Sequence, residues 1–141
     1  MDLKQKYQNK LMNIEDAVSL IKSGDWVDYG WTATTPKIFD EALTNHLKSL
    51  SDVKFRGGIL MHEPLFFQME DAKKHFTWNS WHFGGIERKA ISKGISYYGG
   101  FRYSELPRYY YDNEEKSSVA YLMVSPMDDF GYFNFGPSTS H

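Results

Sequence analysis

An α/β domain with an open, mostly parallel sheet flanked by helices is what this sequence predicts, and three observations carry that reading. Short apolar or alternating runs at 26–30, 53–61, 95–98 and 119–125 alternate with segments of helical periodicity. The first two runs flank a helical segment within about 35 residues, the length of a βαβ unit, so their strands are parallel with a right-handed crossover. Glycines then punctuate the ends of the runs, at Gly30, Gly84-Gly85, Gly99-Gly100 and Gly136, where strand-to-helix turns belong.

The elements follow in order. Residues 2–11 are polar and fit a surface helix. Asn13 is a favourable N-cap for a helix over 14–22, with Glu15 and Asp16 in its first turn and Lys22 in its last. Ile14, Val18 and Ile21 form its apolar stripe, and Gly24 stops it. After the strand 26–30 and the loop 31–35, Thr35 is placed to cap a helix over 37–50 and Pro36 to take its first position. Ile38, Ala42, Leu43 and Leu47 lie on one side of that helix. The strand 53–61 contains Gly57-Gly58, where another group approaches the backbone closely.

A short helix is expected within 64–72, an extended aromatic stretch over 75–83, and a helix over 86–93 stopped by Gly94. A brief strand over 95–98 comes next, and Ser104 caps a helix over 105–111. Residues 114–118 form a solvated turn before the apolar strand 119–125. The chain turns through Pro126, Asp128 and Gly131, re-extends over 132–135 and enters the loop Gly136-Pro-Ser138. A loop of this kind usually opens a helix, so the domain 1–141 is expected to be incomplete at its C-terminal end.

Composition bounds the function. The 141 residues make one domain, and 41% apolar with 17% aromatic content specifies a packed core. A formal charge of −2, with both signs scattered, excludes a nucleic-acid footprint and a polybasic membrane patch. Zero cysteines exclude a disulfide scaffold and a thiol nucleophile, and fit a cytoplasmic protein. The N-terminus is polar, and no apolar run approaches the ~20 residues of a membrane-spanning helix.

Motifs narrow the chemistry further. His46, His62, His75, His82 and His141 lack metal-ligand spacing, so no metal is expected; His75 and His82, seven apart, fall on opposite faces of a strand. Gly136-Pro-Ser138-Thr-Ser140 fails as a nucleophile elbow, because Ser140 stands where the second glycine belongs. Neither dinucleotide nor P-loop glycine pattern occurs. Three loops remain as ligand sites or as plain tight turns: 30–36, Gly84-Gly85 and 136–138. In a parallel sheet such loops gather at one edge. Within them Trp31, Asn134 and Ser138 are the candidates for lining an acyl or carboxylate pocket. Each also has a structural reading, Trp31 as core, Asn134 as a strand-face polar residue and Ser138 as a cap.

Four segments carry a family resemblance: Ser23-Gly-Asp-Trp-Val-Asp-Tyr-Gly30; Trp78-Asn-Ser-Trp-His-Phe-Gly-Gly85 with Glu87-Arg88; Arg102-Tyr-Ser-Glu-Leu-Pro107; and Val124-Ser-Pro-Met-Asp128 joined to Gly131-Tyr-Phe-Asn-Phe-Gly-Pro-Ser138. With them the chain resembles the acetyl-CoA hydrolase/transferase family, and within it the butyryl-CoA:acetate and 4-hydroxybutyrate CoA-transferases. The resemblance implies two similar α/β domains with the active site between them, of which 1–141 is part of the first. It implies a glutamate of an E-x-G motif in the C-terminal domain, beyond His141, that passes through an acyl anhydride and a CoA thioester. The substrates implied are an acyl-CoA and a short-chain carboxylate; CoA enters as the substrate thioester and no cofactor is bound. None of Glu15, Glu41, Glu63, Glu70, Glu87, Glu105, Glu114 and Glu115 stands in an E-x-G motif, so the catalytic residue is expected outside this chain and the isolated chain is expected to be inactive. Only Glu63, beside Pro64 at the end of an apolar run, has a surrounding that fits such a carboxylate. Two alternatives stand beside the transferase: an acyl-CoA hydrolase of the same family, and a stand-alone ligand-binding module. A homo-oligomer is also expected, because a cut sheet leaves edges and aromatic faces uncovered.

Overall fold

The computed structural model describes residues 2–112 and 116–138. Five parallel strands form one sheet: β1 (Trp26–Trp31), β2 (Val53–Gly58), β3 (Phe76–Ser80), β4 (Ser96–Tyr98) and β5 (Val119–Tyr121). Their spatial order is β4-β3-β2-β1-β5. The chain therefore steps outward from β1 to β4 and returns to place β5 on the other side of β1. The helices are α1 (Leu3–Gln8), α2 (Ile14–Val18), α3 (Asp40–Leu47), α4 (Gly85–Ser92) and α5 (Leu106–Asp112).

Strand alternation divides the core. Val27 and Tyr29 of β1, Val53 and Phe55 of β2, and Phe76 and Trp78 of β3 are all buried in one cluster with Val18, Leu43, Leu47, Phe66, Phe67 and Ala90. Its centre is aromatic: the Tyr29 ring meets Phe55 edge-on at 5.8 Å and Phe66 at 5.6 Å, while Phe55 stacks on Phe66 at 5.0 Å. Such pairs add to the burial of large rings. The opposite face is covered by α5, whose Tyr109 and Tyr110 rings pack on Trp81 at 5.0 and 5.7 Å.

Several elements are shorter than their periodicity predicts, each for a local reason. The helix expected over 14–22 stops at Val18, because the Lys22 N–H turns to the Asp25 carboxylate at 2.7 Å. Pro36 does not open an α-helix; Lys37–Phe39 is a 3₁₀ turn and α3 starts only at Asp40. Thr35 Oγ1 is buried and caps nothing, and Ile38 is 69% exposed rather than part of the buried stripe. The helix expected within 64–72 is two 3₁₀ turns, Leu65–Gln68 and Ala72–Lys74. Ser104 lies inside a 3₁₀ turn, Tyr103–Glu105, ahead of α5. The strand expected over 119–125 ends at Tyr121, since the Met123 N–H leaves the sheet for the Thr34 carbonyl at 2.8 Å. Residues 122–135 then form an irregular hairpin in which the Ser125 N–H donates to the Asn134 carbonyl at 2.9 Å and the Asp128 N–H to the Tyr132 carbonyl at 3.0 Å.

Candidate functional site

All strands being parallel, the carboxyl ends of β1 to β5 share one edge, and the loops that leave them meet there. Backbone strain is concentrated at that edge. Gly30 has φ +57°, and the β-branched Thr32 and Ile59 have φ +46° and +47° just beyond β1 and β2. A Cβ on Gly30 would stand 2.5 Å from the Thr34 carbonyl oxygen, so only glycine fits this turn. β-branched residues in the left-handed region are costly and cluster at functional loops.

A cleft of about 280 Å³ opens at this edge, where β5 lies beside β1. Strand order reverses at that place, which is where open α/β sheets bind ligands. It is lined by Gly30 and Trp31 at the end of β1, Thr34 in the loop beyond, Gly57 of β2, Trp81 just after β3, Tyr110 of α5, and Leu122, Phe135 and Ser138 from the C-terminal segment, with Asp28 of β1 and Arg56 of β2 also in its lining. The Trp31 ring packs on β2 at Gly58, where a Cβ would come within 2.7 Å of it. Ser138 is half-buried, and its Oγ accepts the Ala33 N–H at 3.1 Å and pairs with Thr32 Oγ1. The tail thus sits on the 30–36 loop.

Two of the three predicted residues, Trp31 and Ser138, therefore face the same cleft. Asn134 does not. It is exposed, and its Oδ1 accepts the Gly136 N–H at 2.7 Å, fixing the turn that precedes Ser138. Gly84-Gly85 lies along the same edge but does not line the cleft; Glu87 ties it to the loop after β2. That carboxylate is fully buried, with Oε1 accepting the Leu60 N–H and Oε2 the Gly84 N–H, both at 2.9 Å. Glu87, in the first turn of α4, is thus an interior carboxylate. The signal was its spacing, three residues after a turn glycine at a helix start.

Charged groups that sequence reasoning passed over also line the cleft. Arg56, 2% exposed in the middle of the sheet, lays its guanidinium 3.9 Å from the centre of the Trp26 ring and 5.1 Å from that of Tyr109. Its register partner on β1 is Asp28, whose Oδ1 accepts the Tyr110 hydroxyl at 3.0 Å. Burial first, then the Asp28 charge, pushes the Tyr110 phenol far above its ordinary range. On the other side of β1, the Tyr29 hydroxyl donates to Asp40 Oδ1 at 3.2 Å and to the Pro36 carbonyl at 3.3 Å, with His62 Nε2 3.5 Å from Asp40 Oδ2. Burial raises the Asp40 carboxyl and His62 opposes it. This bridge braces the 30–36 loop from behind.

No glutamate among the described residues lines the cleft. Glu63, the candidate by surroundings, instead pairs with Lys93 at 3.1 Å and keeps 32% of its side chain exposed. Glu114, Glu115 and His141 lie outside the described residues. The other histidines are apart: His46 Nε2 meets the Ile21 carbonyl, His75 Nδ1 the Leu50 carbonyl, and His62 faces Asp40. His75 precedes β3 and His82 follows it, so their alternation on one strand does not arise. No group of metal-ligating side chains and no helix long and apolar enough to cross a membrane occurs among the described residues.

Comparisons with known proteins bear on the family and the fold. Residues 1–141 match the acetyl-CoA hydrolase/transferase N-terminal domain along their whole length. The chain is 49% identical over 141 residues to the butyryl-CoA:acetate CoA-transferase of Anaerostipes caccae, covering 100% of this chain and 32% of that protein. It is 38% identical over 137 residues to a probable butyrate:acetyl-CoA coenzyme A-transferase of Syntrophomonas wolfei, covering 97% of this chain and 30% of the other. The crystal structure of RipA from Yersinia pestis superposes with a TM-score of 0.82 at 24% identity, covering 96% of this chain and 34% of that one, and shares its fold. The chain thus spans about a third of the length of the curated relatives it matches. It belongs to the acetyl-CoA hydrolase/transferase family, to which it contributes the N-terminal domain.

Proposed function

We propose that this chain is the N-terminal part of an acyl-CoA:carboxylate CoA-transferase that exchanges CoA between short-chain acyl groups such as butyryl and acetyl. The observation that carries the reading is the cleft at the point of strand-order reversal: about 280 Å³, walled by Trp31, Trp81, Phe135 and the bare backbone of Gly30 and Gly57, without a glutamate among its described residues. Aromatic walls exclude water, which an anhydride or thioester intermediate needs if it is to exchange rather than hydrolyse. Trp31 and Ser138 line the acyl pocket, and Asn134 holds the turn that aims Ser138. The nucleophilic glutamate and its oxyanion donors come from a second domain facing this edge. CoA is the substrate thioester and the second substrate is a short carboxylate.

The test joins this chain to the remaining two thirds of the Anaerostipes caccae butyryl-CoA:acetate CoA-transferase, and compares it with the chain alone on butyryl-CoA and acetate. The chimera forms acetyl-CoA and the isolated chain forms none. Release of free butyrate without acetate consumption marks a hydrolase. An inert chimera together with ligand binding by the chain alone marks a stand-alone module. A hydroxylamine-trapped adduct on any glutamate of the isolated chain overturns the assignment of the nucleophile.

A further inference from the structure

The loops that leave β1 and β2 are tied behind the cleft to one carboxylate. Asp40, the first residue of α3, is 5% exposed. Its Oδ1 accepts the Tyr29 hydroxyl at 3.2 Å, and the same hydroxyl reaches the Pro36 carbonyl, at the end of the 30–36 loop, at 3.3 Å. From the other side the Leu65 N–H donates to the carboxylate, and His62 Nε2 stands 3.5 Å from its Oδ2. Each loop also holds a β-branched residue in the left-handed region, Thr32 at φ +46° and Ile59 at φ +47°. The Trp31 ring, next to Thr32 in sequence, packs on Gly58, which precedes Ile59. One contact in this set is incomplete. His62 Nε2 is buried without a hydrogen-bond partner among the described residues, yet it faces a carboxylate across 3.5 Å. A neutral imidazole gains little from that placement, whereas an imidazolium is drawn to the opposite charge.

We propose that Asp40 and His62 are positioning residues for the transfer reaction, a proton-operated clamp that closes when His62 is protonated and fixes Trp31 against the acyl chain. The proposal deepens the acyl-pocket reading and rests on it. Neither residue lines the cleft, so both act through the two loops. Loss of the His62 proton removes the attraction between the loops, and the strain at Thr32 and Ile59 then favours their relaxation. Protonation of Asp40 opens the clamp from the acid side; burial raises that carboxyl, and the charge of His62 opposes the rise. The other titratable groups around the pair come from three elements. Tyr29 of β1 is held far above its ordinary range, by burial first and then by the Asp40 charge. Lys37, ahead of α3, also acts on Asp40. Glu63, beside His62 on its own loop, is engaged by Lys93 at the end of α4 at 3.1 Å.

The experiment has two arms. In the 141-residue chain, the His62 ring carbons and the indole N–H signals are followed by NMR between about pH 5 and about pH 9. The Trp31 signal is expected to move with the midpoint of the His62 titration, while that of Trp26, at the start of β1, stays in place. In the chimera with the remaining two thirds of the Anaerostipes caccae transferase, KM for butyryl-CoA is expected to rise about five-fold across the same midpoint, the scale of one partly exposed ion pair. The kcat stays within about two-fold, because the loops hold the acyl chain and the nucleophile comes from the other domain. His62→Gln keeps KM at the raised value at every pH. Asp40→Asn flattens the Trp31 and KM profiles while His62 still titrates. A His62 titration beside a motionless Trp31 signal overturns the proposal. So does a Trp31 or KM profile unchanged in His62→Gln, or a pH effect confined to kcat. An inert chimera sinks the transfer reading alone, since the Trp31 response in the isolated chain still decides the clamp.

Discussion

At the scale of single residues, the rim is held by positions whose replacements should be felt out of proportion to their size. Gly30 combines φ +57° with a Cβ position 2.5 Å from the Thr34 carbonyl. Gly30→Ala is expected to cost about 1–3 kcal/mol in strain before any repacking, measured by urea denaturation, and to weaken ligand binding at the cleft as the 30–36 loop shifts. Glu87 is a different case, since its two oxygens serve the backbone N–H groups of Leu60, which is buried, and of Gly84, which is partly buried. Glu87→Gln keeps the shape but converts one acceptor into a donor. A loss of about 1–3 kcal/mol is expected, with faster hydrogen exchange at the Leu60 and Gly84 amides. Unchanged protection at both amides would show that the clamp is not needed.

At the scale of elements, the clearest handle is the joint between β5 and α2. The Tyr121 hydroxyl donates to the Ala17 carbonyl at 2.6 Å, and burial pushes its pKa from 10.0 up to about 12. A phenol with a raised folded-state pKa binds its proton more tightly in the native chain than in the unfolded one. Its contribution is therefore complete below pH 10 and is lost as the pH climbs from about 10 to about 12. Stability should fall through that window, and Tyr121→Phe should lower stability at neutral pH while flattening the alkaline slope. Tyr29 and Tyr110 are held still higher, again by burial first. Absorbance at 295 nm should accordingly show Tyr29, Tyr110 and Tyr121 ionising late, with the unfolding transition. Their ionisation in the still-folded chain near pH 10 would contradict this burial.

For the molecule as a whole, the hairpin 122–135 leaves an apolar surface that the described residues cover only in part, the Tyr7 ring of α1 meeting Phe133 at 5.6 Å. Phe130 is 78% exposed and Tyr132 70%, beside Phe133 and Phe135 at 44% each. Clusters of this kind mark contact surfaces. The isolated chain is expected to associate in sedimentation, and Phe130→Ser with Tyr132→Ser to shift it toward monomer. A clean monomer at high concentration in the unsubstituted chain would refute this.

The sequence by itself determined the alternation of strands and helices, the parallel sense of the sheet and the family. These follow from patterns a few residues long: the β1–α3–β2 spacing, the N-cap Asn13, the turn glycines and the shared segments. It also placed Trp31 and Ser138 in small-residue loops at strand ends, and both line the cleft. Only the tertiary structure decided where helices stop, which is why Ile38 is outside and α2 ends at Val18: the competing bonds, such as Lys22 to Asp25, join neighbours whose geometry periodicity ignores. Only the tertiary structure brought Asp28, Arg56 and Tyr110 together, since a strand order that places β5 beside β1 and lays α5 across the second face is settled by long-range packing. Glu87 went unrecognised for the same reason. Burial of a carboxylate depends on which backbone N–H groups arrive around it, and Leu60 comes from a different loop.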